Sequence, residues 1–375
     1  MEKLKTAVIG IGKVTPIHAA ALVNLPRSHF TAVCSSKKEK AGDFARIYGI
    51  KGYTDVFEMV SKEKIDVAVI CTPHPYHKDS AVAAMEAGAH VLIEKPLASS
   101  LRDCDDMLET AKRCRRQIGV ISQRRWYKPV RRMKDAIEAG KIGSPALGVV
   151  YMLGWRDEKY YASDPWRGKW IEEGGGVLVN QAPHQLDLLQ WFMGQPEELC
   201  GMWANLNHPY IEVEDTALAI IRFKSGALGS IIVSNSQKPG IYCKVHVHGQ
   251  NGASVGVQTD GGAMFVAGMS GIQEPPVNDI WTIPGEEHLL KDMVKEDSDF
   301  FNSLPNPVEY FHERQIEDFL SAVMDGRKPL VTGEDGRVTV EIFTAIYRSN
   351  RDKMPVRWPL LPENRDDFDG RLKIE

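Results

Sequence analysis

The chain has 375 residues, 43% apolar and 26% charged, with a formal charge of −4, a size and balance that suit two domains each burying its own core. Charges of both signs are mixed along it and no apolar run approaches ~18 residues, which offers nothing to nucleic acid or to a membrane. Six cysteines without a C-x-x-C pair argue against a disulfide scaffold or zinc ribbon, and with a strand starting almost at residue 1 they predict a cytoplasmic protein.

Residues 5–10 are an apolar run, followed by IGKVTPIHAAALVNL with apolar residues at helical spacing, so the chain opens strand, tight turn, helix. FTAVCSS, KIDVAVICTP and HVLIEKP are predicted as further strands, with helices over KEKAGDFARIYG and HKDSAVAAMEAG between them. SLRDCDDMLETAKRC and QIGVISQ continue the alternation to residue 122. This rhythm predicts a parallel, doubly wound α/β sheet over 1–122, a Rossmann dinucleotide-binding domain. After a helix over KPVRRMKDAIEAGKIG, period-two alternation marks PALGVVYML, ELCGMWANL, DTALAIIRF, ALGSIIVSN, YCKVHVHGQ and AMFVAG as strands, and two late helices follow. Residues 123–375 are therefore expected to form an α+β domain with a large, open, mostly antiparallel sheet.

Gly10-Ile11-Gly12-Lys13-Val14-Thr15 sits where strand meets helix. Two glycines allow a tight turn and close approach of a pyrophosphate to the helix N-terminus, although the third glycine of the fingerprint is Thr15. Gly10, Gly12, Lys13 and Val14 are the expected phosphate contacts. Cys34-Ser35-Ser36-Lys37 ends the second strand without the acid that would bond a ribose 2′-hydroxyl. Ser35, Ser36 and Lys37 instead suit a 2′-phosphate, so the cofactor is read as NADP or NAD with a lean to NADP. At a later strand end, Glu94-Lys95-Pro96 falls where ligands of such sheets bind, and Lys95 is expected to aim an ammonium into the cleft.

EEGGGVLVNQAPHQLDLLQWFMG, residues 172–194, is the second informative stretch. His184 and Asp187 share a helix face, with Asn180 one turn before His184. Asn180 is a capping residue type, which predicts a helix starting there with Pro183 in its first turn and His184 near the positive end of the dipole. A plainer alternative makes His184 a core residue satisfied by Asp187.

Gly10-x-Gly12, Cys71-Thr72-Pro73 with His77, Glu94-Lys95-Pro96, and Gly174-Gly175-Gly176 through Asn180 and His184 to Asp187 together resemble the glucose-fructose oxidoreductase, inositol dehydrogenase and rhizopine-catabolism family (Gfo/Idh/MocA) over nearly the whole chain. That resemblance implies NAD(P)-dependent oxidation or reduction of sugars and cyclitols, with Lys95, His184 and Asn180 as the catalytic set and a cis bond before Pro96. Asn180 stands where the family more often has aspartate, and an amide orients a neighbour without stabilising an imidazolium. On the substrate side, Arg124, Trp126, Trp155, Trp166 and Arg167 join Asn180 and His184 as expected contacts, because aromatic faces with interspersed donors fit a pyranose; a subunit interface would use the same residue types. The Asn-Gln-Ala-Pro-His version of the motif resembles members that oxidise the 3-hydroxyl of glucosides and anhydrosugars. An inositol dehydrogenase and a non-catalytic dinucleotide sensor are the rival readings. Cys71-x-x-His74-x-x-His77 has metal-like spacing but lies where the family places nicotinamide contacts, and His246 and His248 share one strand face, so no metal is expected. A homodimer or homotetramer through the second domain's sheet is expected.

Overall fold

A computed structural model describes residues 3–261, 269–363 and 369–371. The chain forms two compact units, one of residues 1–123 and 308–337, the other of 124–307 and 338–375. The first unit is thus larger than the run 1–122, because a helix from the far end of the chain joins its core. Ile316, Phe319 and Leu320 of the helix Pro307–Asp325 are essentially fully buried in one cluster with Val8, Leu22, Val33, Val69 and Leu92. Gln315 fixes that helix, its side-chain amide donating to the Val120 carbonyl at 2.7 Å and its oxygen accepting from the Ser122 amide at 2.8 Å.

The first sheet has six parallel strands: β1 (Leu4–Ile9), β2 (Ser28–Cys34), β3 (Lys51–Tyr53), β4 (Val67–Ile70), β5 (His90–Ile93) and β6 (Ile118–Val120). They run in the order β3-β2-β1-β4-β5-β6, so the direction of winding reverses between β1 and β4. All four residues of β4 are 0% exposed, as a strand covered on both faces requires. The short β3 and the helix Val56–Glu63 after it escape the sequence reading, since β3 carries only three residues with two of them exposed. Such a stretch has no periodicity to detect.

The second unit is built on an eight-stranded mixed sheet: β7 (Pro145–Leu153), β8 (Pro196–Ala204), β9 (Thr216–Phe223), β10 (Leu228–Ser234), β11 (Tyr242–Gly249), β12 (Ser254–Asp260), β13 (Val277–Trp281) and β14 (Val356–Arg357), in the order β13-β12-β11-β7-β10-β9-β8-β14. Pairing is antiparallel except between β7 and β10. AMFVAG, expected as a strand, lies outside the described residues. One face of the sheet is buried in strict alternation along β9, while the other bears Leu147, Met202, Leu218, Ile220 and Leu228, each 40% exposed or more. Register places Leu147 beside Leu228 and Met202 beside Leu218, so these residues form one apolar face.

Candidate active site

In the first unit the expected cofactor residues gather at the carboxyl ends of adjacent strands, on either side of the winding reversal. Gly10 has φ +95°, and a Cβ there would meet the Cys71 carbonyl carbon and the Thr72 amide at 2.7 Å, so only glycine lets the β1 and β4 ends close together. Thr15, in the position of the third glycine, is fully buried; its hydroxyl accepts from the Gly12 amide at 2.9 Å and donates to the Gly10 carbonyl at 3.1 Å. The glycine turn is therefore tied by a side chain, and the helix Thr15–Asn24 starts immediately after it. Lys13 and Gly12 are exposed and Val14 half-buried beside that start. Ser35 is half-buried and Ser36 and Lys37 are exposed at the end of β2.

Thr72 is half-buried and Pro73 exposed, but His77 is fully buried. Its Nδ1 lies 3.0 Å from the Pro96 carbonyl and its Nε2 2.9 Å from the Thr72 carbonyl. Burial pushes its pKa down. His77 therefore joins the loop after β4 to the loop after β5, in place of the cofactor contact expected of it. Glu94 is likewise engaged within the protein, through His18 Nε2 at 2.7 Å and the Lys95 amide at 3.1 Å. The Lys95–Pro96 bond is cis. His18, Glu94 and His312 each bring one ligand-type atom within 4.8 Å of the others, and the short hydrogen bond already commits two of them to each other.

In the second unit the glycine run is explained by what surrounds it. A Cβ on Gly176 would sit 1.9 Å from the Glu214 carbonyl oxygen, and one on Gly175, at φ +151°, 2.2 Å from the Tyr347 hydroxyl. Glu214 in turn accepts the Gly176 and Leu178 amides, each at 2.9 Å. The regular helix starts later than Asn180: a short turn covers Val177–Asn180, and the helix proper runs Pro183–Met193 with Ala182 at its N-cap. Proline in the first turn has no amide to lose there, which is why the start moves to it. His184 follows Pro183 in that first turn and is 9% exposed.

Asp187 is engaged by a residue far from its own helix. Its carboxylate forms a bidentate pair with Arg125, Nε to Oδ2 at 2.8 Å and Nη2 to Oδ1 at 2.6 Å, and that guanidinium lies 4.9 Å from the centre of the Trp191 ring. The pair anchors the helix that carries His184.

Of the expected substrate contacts, Arg167, Trp166 and Asn180 are brought together around Tyr160. Tyr160 Oη accepts Arg167 Nη1 at 2.5 Å, Gln181 Nε2 at 2.8 Å and Asn180 Nδ2 at 3.2 Å, and Arg167 stacks 4.4 Å from the Trp166 ring centre. Gln181 Oε1 accepts from Asn235 at 2.9 Å. Trp155 packs on His208, 5.5 Å between ring centres, and His208 is clasped by Asp215 at 2.8 Å. Arg124 lies in a different group: it donates to Thr259 at 2.8 Å and pairs with Asp260 at 3.1 Å, and Thr259 also receives the Gln185 amide at 3.3 Å. Trp126 is half-buried. Tyr160 belongs to the aromatic stretch 151–170, whereas Glu173, Gln181 and Asn235 were not singled out from sequence; a carboxylate directly before a glycine run was the one available signal.

Residues 4–122 match a family model described as an oxidoreductase family with an NAD-binding Rossmann fold, and residues 130–255 match the GFO/IDH/MocA C-terminal domain. The chain belongs to the Gfo/Idh/MocA oxidoreductases. This member is 27% identical to scyllo-inositol 2-dehydrogenase (NAD(+)) of Bacillus subtilis, over 95% of this chain and 96% of that one. It is 25% identical to D-glucoside 3-dehydrogenase of Escherichia coli over 60% of this chain and 68% of that protein. Among solved structures it superimposes on the WlbA dehydrogenase of Bordetella pertussis, determined with NADH and UDP-GlcNAcA, with TM-score 0.83 and 25% identity over 96% of this chain and 99% of that one. As a Gfo/Idh/MocA member the protein is an NAD(P)-dependent oxidoreductase acting on CH–OH groups. No helix among the described residues is long and apolar enough to cross a membrane.

Proposed function

We propose that the protein moves hydride between a secondary hydroxyl carbon of a sugar or glycoside and the nicotinamide, with a lean to C3 of a pyranoside or anhydrosugar. Two observations support this: in the first unit Lys95 stands at the end of β5, and in the second His184 follows an amide-rich and aromatic cluster around Tyr160. Bound cofactor supplies the hydride acceptor. Lys95 donates to the substrate oxygen and holds its developing negative charge, while His184 takes the hydroxyl proton. Asn180 orients, Arg167 and Trp166 offer a donor and a face to the ring, and Trp155, Trp126 and Arg124 extend that surface. Gly10, Gly12, Lys13 and Val14 hold the pyrophosphate, and Thr72, Pro73 and Glu94 shape the nicotinamide end. Ser35, Ser36 and Lys37 favour NADP over NAD.

A cyclitol substrate is the second reading, favoured by the similarity to scyllo-inositol 2-dehydrogenase along nearly the full length. Self-association is proposed through the apolar sheet face of Leu147, Met202, Leu218, Ile220 and Leu228, each 40% exposed or more. All six cysteines are free thiols, which fits a reducing compartment such as the cytoplasm.

The test is nicotinamide reduction against pyranoses, methyl glucosides, levoglucosan, inositols and nucleotide sugars, with NAD and NADP. Turnover on one class, reduced about a hundredfold or more in both Lys95→Ala and His184→Ala, is expected. Full activity in either variant removes that residue from its role. Tight cofactor binding without turnover in either direction would favour the sensor reading.

A further inference from the structure

Glu173 is left without a task by this mechanism, yet it is only 1% exposed and contacts a residue that the mechanism uses. One carboxylate oxygen accepts the Gly168 amide at 2.6 Å, and the other accepts the side-chain NH2 of Asn180. The same NH2 reaches Tyr160 Oη, which also takes Arg167 and Gln181 as donors. An ionised carboxylate only accepts and a guanidinium only donates, while the Tyr160 hydroxyl between them can do either. With Glu173 ionised, the Asn180 amide must turn its NH2 toward Glu173 and its oxygen away. Once Glu173 is protonated it can donate to the amide oxygen instead.

We propose that Glu173 is the positioning residue of Asn180, and that its protonation decides which end of the Asn180 amide the turn before His184 presents. This rests on the reading in which Asn180 orients the reacting groups. It accounts for a chain that lacks a carboxylate at 180 but buries one a single hydrogen bond away. The groups facing Glu173 are Arg167 and Tyr160 from the 158–168 segment, Tyr161 beside them, and Glu214 before β9. Burial outweighs the Gly168, Asn180 and Arg167 contributions and pushes the Glu173 carboxyl up to about 7, so the two forms exchange near neutral pH. No bond to substrate is made or broken by Glu173.

The decisive measurement is the side-chain amide NMR signal of Asn180 in full-length protein labelled with 15N-asparagine, identified by its loss in Asn180→Ser, from about pH 5 to about pH 9. The signal should move with a midpoint near neutrality in the wild type and stay put in Glu173→Gln. A wild-type signal that is flat across the range overturns the proposal without need of any variant, as does one that moves equally in Glu173→Gln. In turnover, Glu173→Gln should lower kcat about tenfold with the cofactor KM unchanged and should remove a neutral-pH step from the rate profile, while Glu173→Asp restores part of that step. An unaltered profile in Glu173→Gln also overturns it. Because the amide signal needs no substrate, inactivity against every polyol would count against the proposed function alone.

Discussion

Three buried glutamates, Glu94 of the first unit and Glu173 and Glu214 of the second, differ in what surrounds them and in their ionisation. In the first unit, Glu94 faces His18 at 2.7 Å with both side chains almost wholly buried. Burial disfavours charge on each, yet the His18 hydrogen bond and charge hold Glu94 down at about 2, and the Cys71 sulfur and Glu94 keep His18 protonated well above its usual range. His312, edge-on to His18 at 5.3 Å, is pushed the other way, to about 4, by burial and then by that charge. In the second unit Glu173 and Glu214 are as deep, but the donors on them are neutral, and burial lifts both to about 7. Depth alone therefore does not decide ionisation. A delivered cation makes a fixed charge beside Lys95, whereas amides make a carboxyl that can change charge in the working pH range.

The comparison breaks first at Gly176. Gly176→Ala forces a Cβ to 1.9 Å from the Glu214 carbonyl oxygen, a backbone atom that cannot swing aside, and should cost at least about 4 kcal/mol in denaturant unfolding. Glu94→Gln leaves His18 buried without its counter-charge and should cost about 3 kcal/mol, read as a fall in the urea midpoint near pH 6. The sign of the pH dependence separates the two kinds of site. Glu94 contributes stability that is present above its ordinary 4.5 and lost as pH falls toward about 2. Glu214 does the reverse: its folded form holds a proton that the unfolded chain has released, so its contribution is complete below 4.5 and is lost as pH rises through about 7. Glu214→Gln should accordingly flatten the decline in Tm between pH 5 and pH 8, an effect of about 2 kcal/mol, and an unchanged slope would show that neutral donors suffice to keep Glu214 charged. The smallest effect is expected at Thr15→Ala, which deletes two neutral hydrogen bonds of the glycine turn: about 1 kcal/mol in stability, with a weaker cofactor Kd by titration.

Particular residues show how far sequence reached. The places of Lys95 just after a strand and of His184 at a helix start were legible, because each stands in a local pattern of apolar run, glycine and proline. The pairing of Asp187 with Arg125 was not legible, because that guanidinium lies 62 residues upstream. His77 was read as a cofactor contact through the family resemblance, yet its ring is spent on the carbonyls of Thr72 and Pro96. β12 and the helix Leu290–Ser303 also escaped, the first because its buried pattern is not a clean alternation and the second because charged residues dominate it.

By itself the sequence determined the parallel α/β order of the first unit, the glycine turn at Gly10, and the residue types presented by 94–96 and 172–194. Those are local properties, written in periodicity and in the few conformations open to glycine and proline. Only the tertiary structure decided that the helix Pro307–Asp325 belongs to the first unit, that Glu94 is charged by a histidine 76 residues before it, and that Glu173, Asn180 and Tyr160 share one hydrogen-bond network. The physical reason is that proton affinity and hydrogen-bond direction depend on which groups are carried together into a low-dielectric interior, and chain separation places no limit on that choice.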